Sequence, residues 1–546
     1  MGTKLSTDKI KYFLDKAKEA KKGITEKYNE VLNYTNVSYL ISEEKSESSD
    51  NREIEEVVSE SITTLVNFVM SNVFPRGLNW ASLEINETLY NQASGDTKKV
   101  TETAKVESIN AELEKMSGTF FDFLNNSNFY TEVAKAVRDV VVLGTGVIKL
   151  IEQTDTQRPF LYKYQNLDGM YFLENMLGEP NVVFKSLFQM TKEDITELYG
   201  DSATIPSKAQ EENKTVDLIE CVIQSLEDKS IFIFSVYDSN FETLVHEVEL
   251  KYNPFVVFRW SLEGNSIWGV GLGILALKLF KELQKFKELR EKQSLMIVEP
   301  PLMATGDKGL INNIVLKPGY ANYGGTGQNS PMGNGFNGLD IKPIITSQSL
   351  IPVDQDINTC KYEIKSLFMS NPLGDLGESK NRSATEVQAR MQLFRSRWSG
   401  AYELMQQELM KPTFLSPLRI LIDRSILSLS FEESDLDFTV IQYENELSKA
   451  SDIEDVQMLN TYGNSALNLA NVAQQVGLNR EKTVEYISKK LRVPLEIKLT
   501  EEENLEQSQR MQEYQDKIMA EKALMETVQE QGQEPQNQNQ EVAVNG

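Results

Sequence analysis

The chain has 546 residues, 40% hydrophobic and 25% charged, enough apolar material for roughly three or four structural units, which excludes wholesale disorder. Its 56 Lys+Arg against 81 Asp+Glu leave a net charge of −25, which excludes a protein that coats nucleic acid by general attraction to phosphate. A single histidine, two cysteines (Cys221 and Cys360) and the lack of any Gly-Lys dipeptide exclude paired-histidine zinc sites, a disulfide framework and a P-loop, so no cofactor is expected.

In chain order, Met1-Gly2-Thr3-Lys4-Leu5-Ser6 fits a myristoylation pattern, and residues 1–28 hold eight Lys against four Asp+Glu. A surface amphipathic helix explains that stretch without an acyl anchor. Residues 7–35 and 53–73 carry helical apolar spacing, separated by the acidic Ser42–Glu56, and after the polar Gln92–Lys105 a helical region runs to about Leu143. Gly144-Thr145-Gly146 then reads as a helix end turning into a strand, with no ligand required. The period changes to two. Asn181–Phe188, Val216–Gln224, Ser230–Val236, Thr243–Leu250 and Pro254–Trp260 predict an antiparallel meander with one inserted helix, opened by a capping box at Thr191-Lys192-Glu193-Asp194. His246, the one candidate for a histidine-based nucleophile system, sits in an alternating strand and reads as facing solvent or a polar neighbour. With no secretory segment and no apolar run of about 20 residues, the chain reads as made and kept in a reducing cytoplasm without crossing a membrane.

From Gly271, Leu272, Leu275, Leu279, Leu283, Phe286 and Leu289 repeat at three and four, predicting a helix with one continuous apolar stripe. Lys278, Lys281, Lys285 and Lys292 form a second stripe, which a solvated face explains. Pro300-Pro301 ends the helix. The Gly/Asn-rich Pro318–Gly338 contains a GxGxxG match, Gly333–Gly338, but extended Leu339–Pro343 follows it where a dinucleotide site needs a helix. It reads as a long loop at the tip of a helical hairpin whose second arm is Asp354–Ser370. The Gly/Pro-interrupted linker Asn371–Arg382 precedes a capping box, Ser383-Ala384-Thr385-Glu386, and a long helix that Pro412 should close. Ser451–Pro494 holds two helical stretches. Met511, Tyr514, Ile518, Met525 and Val528 then occupy heptad positions that need a partner helix, and Gln531–Gly546 reads as a disordered tail.

This order of parts resembles the portal proteins of short-tailed phages, the head-to-tail connectors. The resemblance rests on Arg259-Trp260 after Pro254–Phe258, the Gly269–Gly273 turn, Pro300-Pro301, Lys317-Pro318-Gly319, Ser383–Val387 with Arg390, and Leu409-Met410-Lys411-Pro412. It covers most of the chain, best between 250 and 420. The fold it implies is α+β: a wing (1–268), stem helices (269–299 and 346–370) flanking a clip (300–345), and a tunnel loop (371–382). A long central helix (383–411), a return to the wing (412–450), a crown (451–500), a barrel helix (501–530) and the tail (531–546) follow. The resemblance further implies a ring, a dodecamer in this family, around a channel for double-stranded DNA, at a unique vertex of a virion assembled in the host cytoplasm. Lys380, Asn381 and Arg382 would face the DNA, and Lys278, Lys281, Lys285 and Lys292 of the stem would line the channel. The implied partners are further copies of the chain, the terminase or packaging ATPase, a tail adaptor, capsid and scaffolding proteins and internal core proteins, with no membrane. The portal would be the passive half of the motor. The competing reading is a self-assembling scaffold, cytoplasmic or membrane-anchored, with a C-terminal coiled coil; an enzyme would need a catalytic constellation that the sequence does not display.

Overall fold

The computed structural model describes residues 7–35, 56–86, 99–304 (except 202, 210–213, 226, 227, 229 and 265), 315–323, 341–343, 351–370, 397–427 (except 398) and 439–443. All lie within the unit Met1–Leu447. The expectations for the Gly2 pattern, the GxGxxG match, the loop bearing Lys380, Asn381 and Arg382, the 451–500 region and the heptad segment lie outside the described residues.

Helix α1 (Thr7–Thr35) buries Ile10, Leu14, Ala17, Lys21, Ile24, Tyr28 and Val31, a repeat of three and four that keeps one face covered along its length. Helix α2 (Glu56–Val73), α3 (Lys99–Asn126) and α4 (Phe129–Leu143) follow before the first long sheet. α4 is the central one: Val140, Val141, Val142 and Leu143 are all fully buried, and a helix end apolar on every side belongs inside. Strand β1 (Ala81–Ile85) pairs antiparallel with Thr439–Tyr443, tying two distant parts of the chain together.

β2 (Thr145–Glu152) and β3 (Phe160–Gln165) follow, then β4 (Met170–Glu174), β5 (Pro180–Met190), β6 (Val216–Gln224), β7 (Phe232–Asp238) and β8 (Leu244–Leu250) in a five-stranded antiparallel meander. The inserted helix α5 (Lys192–Tyr199) starts at the anticipated capping box: the Thr191 hydroxyl accepts the Asp194 N–H at 3.2 Å, and the Asp194 carboxylate accepts the Thr191 N–H at 2.9 Å. The first half of α1 covers one face of this sheet through Ile10, Leu14 and Ala17, against Val182, Phe184, Ile219 and Ile223.

One strand reading needs correction. β9 (Phe255–Arg259) does not extend the meander; it pairs with β2, in a second sheet ordered β3-β2-β9. All five of its residues are buried, the signature of a strand covered on both faces rather than of a half-exposed meander. His246 is partly exposed on β8, as its place in an alternating strand implies. Its ring lies 5.7 Å from that of Tyr199, 28° from parallel, on the aromatic face between β8 and α5.

Helix α6 (Leu272–Val298) and helix α7 (Ile351–Leu367) run antiparallel: Arg290 pairs with Asp354 at 2.6 Å near one end, and Phe280 stacks on Phe368 at 6.2 Å near the other. Between them lie three short strands, β10 (Leu302–Ala304), β11 (Ala321–Tyr323) and β12 (Ile341–Pro343), with β10 central, parallel to β11 and antiparallel to β12. The apolar face of α6 is Leu272, Ala276, Phe280 and Leu283, while Leu275 and Leu289 are 49% and 45% exposed, so the single stripe read from the sequence divides. The helix over 399–405 does not stop at Pro412. It widens into a π turn, Gln406–Met410, and continues as α8 (Lys411–Asp423) before β13 (Thr439–Tyr443).

Candidate functional site

The described part of the chain concentrates its built structure where the body grips the α6–α7 pair. Two glycine turns read separately in the sequence meet there. Gly144 ends α4 in the left-handed region (φ +100°), its N–H returning to the Asp139 carbonyl, and β2 starts at the next residue. Against it runs Gly269–Gly273, the segment that opens α6. A Cβ on Gly144 would lie 2.5 Å from the Gly269 carbonyl, one on Gly271 would lie 2.5 Å from the Gly144 nitrogen, and one on Gly273 would lie 2.5 Å from the Val142 carbonyl. Only backbone without side chains can cross at this distance. Hydrogen bonds hold the crossing: Gly269 N–H to Thr145 Oγ1 at 3.0 Å, Trp260 N–H to the Gly144 carbonyl at 2.9 Å, and Tyr28 Oη to the Gly269 carbonyl at 3.3 Å.

Beside this crossing lies a buried ionic hub. Arg259, closing β9 after the apolar Phe255–Phe258, is 1% exposed. Its backbone N–H and Nε donate to the Glu408 carboxylate at 2.9 and 3.1 Å, and Nη1 and Nη2 donate to the carbonyls of Ile267 and Gly178 at 3.0 and 2.9 Å. The guanidinium also pairs with Glu174 and again with Glu408. This planar fork ties the β4–β5 hairpin, the turn before α6 and the π turn to one point. Burial pushes the Glu408 carboxyl above the usual range, and the hydrogen bonds from Arg259 pull it back.

A pair of buried lysines fixes the β3–β4 connection, the link between the two sheets. Lys185 Nζ donates to the carbonyls of Asn166 and Asp168 at 2.9 and 2.7 Å, and Lys21 Nζ to that of Leu167 at 2.5 Å, with the Tyr171 and Trp268 rings 4.9 and 5.4 Å from the Lys21 ammonium. Burial lowers both amines to about 8. Asp139, wholly buried in α4 and accepting Tyr164 Oη at 2.6 Å, is raised by burial to about 8 from 3.8.

These shifts set a pH dependence. Between pH 3.8 and about 8 the folded Asp139 keeps a proton that the unfolded chain has released, so stability falls as pH rises through that window. Between about 8 and 10.5 the unfolded chain holds protons that folded Lys21 and Lys185 have released, so stability rises again. Urea midpoints across pH 5–10 should therefore pass through a minimum near pH 8, and Asp139→Asn should flatten the acidic limb while leaving the alkaline one.

The lysine stripe on α6 is exposed but not uniform. Lys281 reaches Glu30 of α1 at 2.5 Å and Lys278 reaches Glu282 on its own helix at 3.7 Å, while Lys285 and Lys292 lie exposed farther along. Arg259 and Glu408 were not singled out as an ion pair from sequence. The available signal was a charge closing the all-apolar Phe255–Phe258 run, and another among Leu404, Met405, Leu409 and Met410.

The described residues thus form an α+β body joined to an antiparallel helix pair by backbone contact and buried charge. The model of the bacteriophage head to tail connecting protein family matches residues 7–497, and the chain belongs to that family. No curated protein matches it. The protein is thus a phage portal or connector protein, a structural component of the virion from a family that associates with itself, the capsid and the tail. Among the described residues no helix is long and apolar enough to cross a membrane.

Proposed function

We propose that this connector subunit assembles into a closed ring of the short-tailed phage type, with twelve copies around a channel for double-stranded DNA, at a vertex completed in the host cytoplasm. The match of the connector family across 7–497 carries this reading. The antiparallel α6–α7 pair, rooted in the body by α1 and α2, supports its assignment as the stem; the small β10–β12 sheet at its far end supports a clip that meets the packaging ATPase during filling and the tail adaptor afterwards. The body up to 268 would be the wing, 383–411 the central helix, 451–500 the crown and 501–530 the barrel. Capsid, scaffolding and internal core proteins would contact the outside and the head-facing end.

A net charge of −25 suits a conduit, because every phosphate neutralised by a cation releases counterions and adds to retention. Cations are needed only where DNA is held, and Lys380 and Arg382, with Asn381, are assigned there; Lys278, Lys281, Lys285 and Lys292 are assigned to the channel face of the stem, Lys285 and Lys292 being the two with no ion pair described above. Purified protein should form cyclic rings by negative-stain microscopy and mass photometry, and a strictly monomeric species at micromolar concentration would overturn the reading. Lys380→Ala with Arg382→Ala should leave the rings intact and lower the yield of DNA-filled heads about tenfold, since phosphate contacts carry retention without reading bases. Normal filling and stable full heads would remove these side chains from the DNA path.

A further inference from the structure

We propose that neighbouring copies of this chain join by a finger in a cleft: the tip of the β4–β5 hairpin, Met176-Leu177, of one copy inserts into an apolar cleft beside the start of α1 on the next. This contact rests on the ring reading given above and names a surface that joins its subunits. Met176 is fully exposed and Leu177 is 82% exposed. Two adjacent large apolar side chains are costly to leave in water, unlike single ones scattered over a surface.

The tip is built to keep its shape. Asn175 Oδ1 accepts the N–H groups of Leu177 and Glu179 at 2.8 and 3.0 Å, the Asn175 N–H donates to the Glu179 carbonyl at 2.9 Å, and the Gly178 N–H donates to the Asn175 carbonyl at 3.1 Å. Behind the turn, the buried Arg259 donates to the Gly178 carbonyl at 2.9 Å and pairs with Glu174. Apolar side chains presented on a fixed turn lose little freedom when they bind, which makes them effective anchors.

The cleft lies toward the other edge of the same sheet. α1 covers the sheet at Val182, Phe184, Ile219 and Ile223, and that face continues onto β7, where Ile233 pairs with Ile223 and Tyr237 with Ile219. There Ile10, Ile223, Ile233, Tyr237 and Leu244 line a cleft of about 240 Å³, with the exposed Glu247 of β8 beside them. An apolar cavity of about 150 Å³ holds a benzene ring, so this cleft has room for a leucine or methionine side chain. A copy cannot reach its own cleft with its own tip: β4 and β8 are opposite edge strands, roughly 15–20 Å apart at about 4.8 Å per strand, and Arg259 pins the tip. A contact between two different patches repeats head to tail, and it closes into a ring when the rotation closes.

Thiol cross-linking of the full-length protein tests this, since the native Cys221 and Cys360 are both buried. A variant carrying Met176→Cys and Glu247→Cys, treated with a short bis-maleimide, should give a ladder of dimers and higher multiples on denaturing gels. Its yield should be at least about tenfold above that of either single variant, because only a head-to-tail contact needs both cysteines. Leu177→Asp, at a position exposed in the subunit, should leave the urea midpoint unaltered yet raise at least about tenfold the concentration at which half the chains are in rings. Rings without the ladder, or ring assembly indifferent to Leu177→Asp, would overturn the contact while leaving the ring standing, and would give the cleft to the segment before Thr7 or to another virion protein. Ladders as strong in a single-cysteine variant would show like patches meeting and would also overturn it; chains that never form rings would overturn both readings.

Discussion

Gly144→Ala should cost about 3–5 kcal/mol of stability, the range reached when a substitution forces backbone apart inside a packed core. The new Cβ would sit 2.5 Å from the Gly269 carbonyl, against main chain that cannot swing aside as a flexible side chain does, and φ +100° is itself unfavourable for alanine. Relief would require separating α4 from the start of α6, which breaks the Gly269–Thr145 and Trp260–Gly144 hydrogen bonds together. Gly23→Ala is the control of opposite sign. It lies on the exposed side of α1 with nothing within 4 Å, so alanine there should stabilise by about 0.5–1 kcal/mol through helix propensity and a less flexible unfolded chain. Chemical denaturation of both variants measures the contrast, and a Gly144→Ala protein as stable as the parent would show that the crossing has slack.

That crossing also marks the limit of what is legible in the sequence. Both glycine turns stand out locally, because each interrupts an apolar run beside a helix end, but nothing in either says that they touch across more than a hundred residues. Local chemistry was decisive for α5, where Thr191 and Asp194 satisfy each other's backbone within one turn, and for β6, whose ends match the predicted run. β4 lay hidden, since Met170–Glu174 is short and its burial alternates weakly. Pro412 misled for a physical reason: proline ends a helix only where the backbone cannot widen to clear its ring, and here a π turn anchored by Glu408 provides that room. The lysine stripe was visible on a helical wheel, but a wheel cannot show that Glu30 on another helix reaches Lys281.

Arg259→Ala should destabilise the subunit by about 3–5 kcal/mol, because it leaves Glu408 and Glu174 facing a buried space with no counter-charge. The size of the loss should depend on pH in a predictable direction. Glu408 is already raised by burial, and without Arg259 nothing pulls it back, so it takes up a proton more readily and the unpaired charge disappears in mild acid. The variant should therefore lose less at pH 5 than at pH 8. Arg259→Lys should recover only part of the loss, since an ammonium cannot serve Glu408, Glu174, Ile267 and Gly178 at once. The double variant Arg259→Met with Glu408→Leu should be more stable than Arg259→Met alone, since it strands Glu174 only instead of both carboxylates. Additive losses in that cycle would mean that the two side chains are independently packed; strong coupling would show that the π turn is held to the body by charge, through the guanidinium that also pairs with Glu174 at the end of β4.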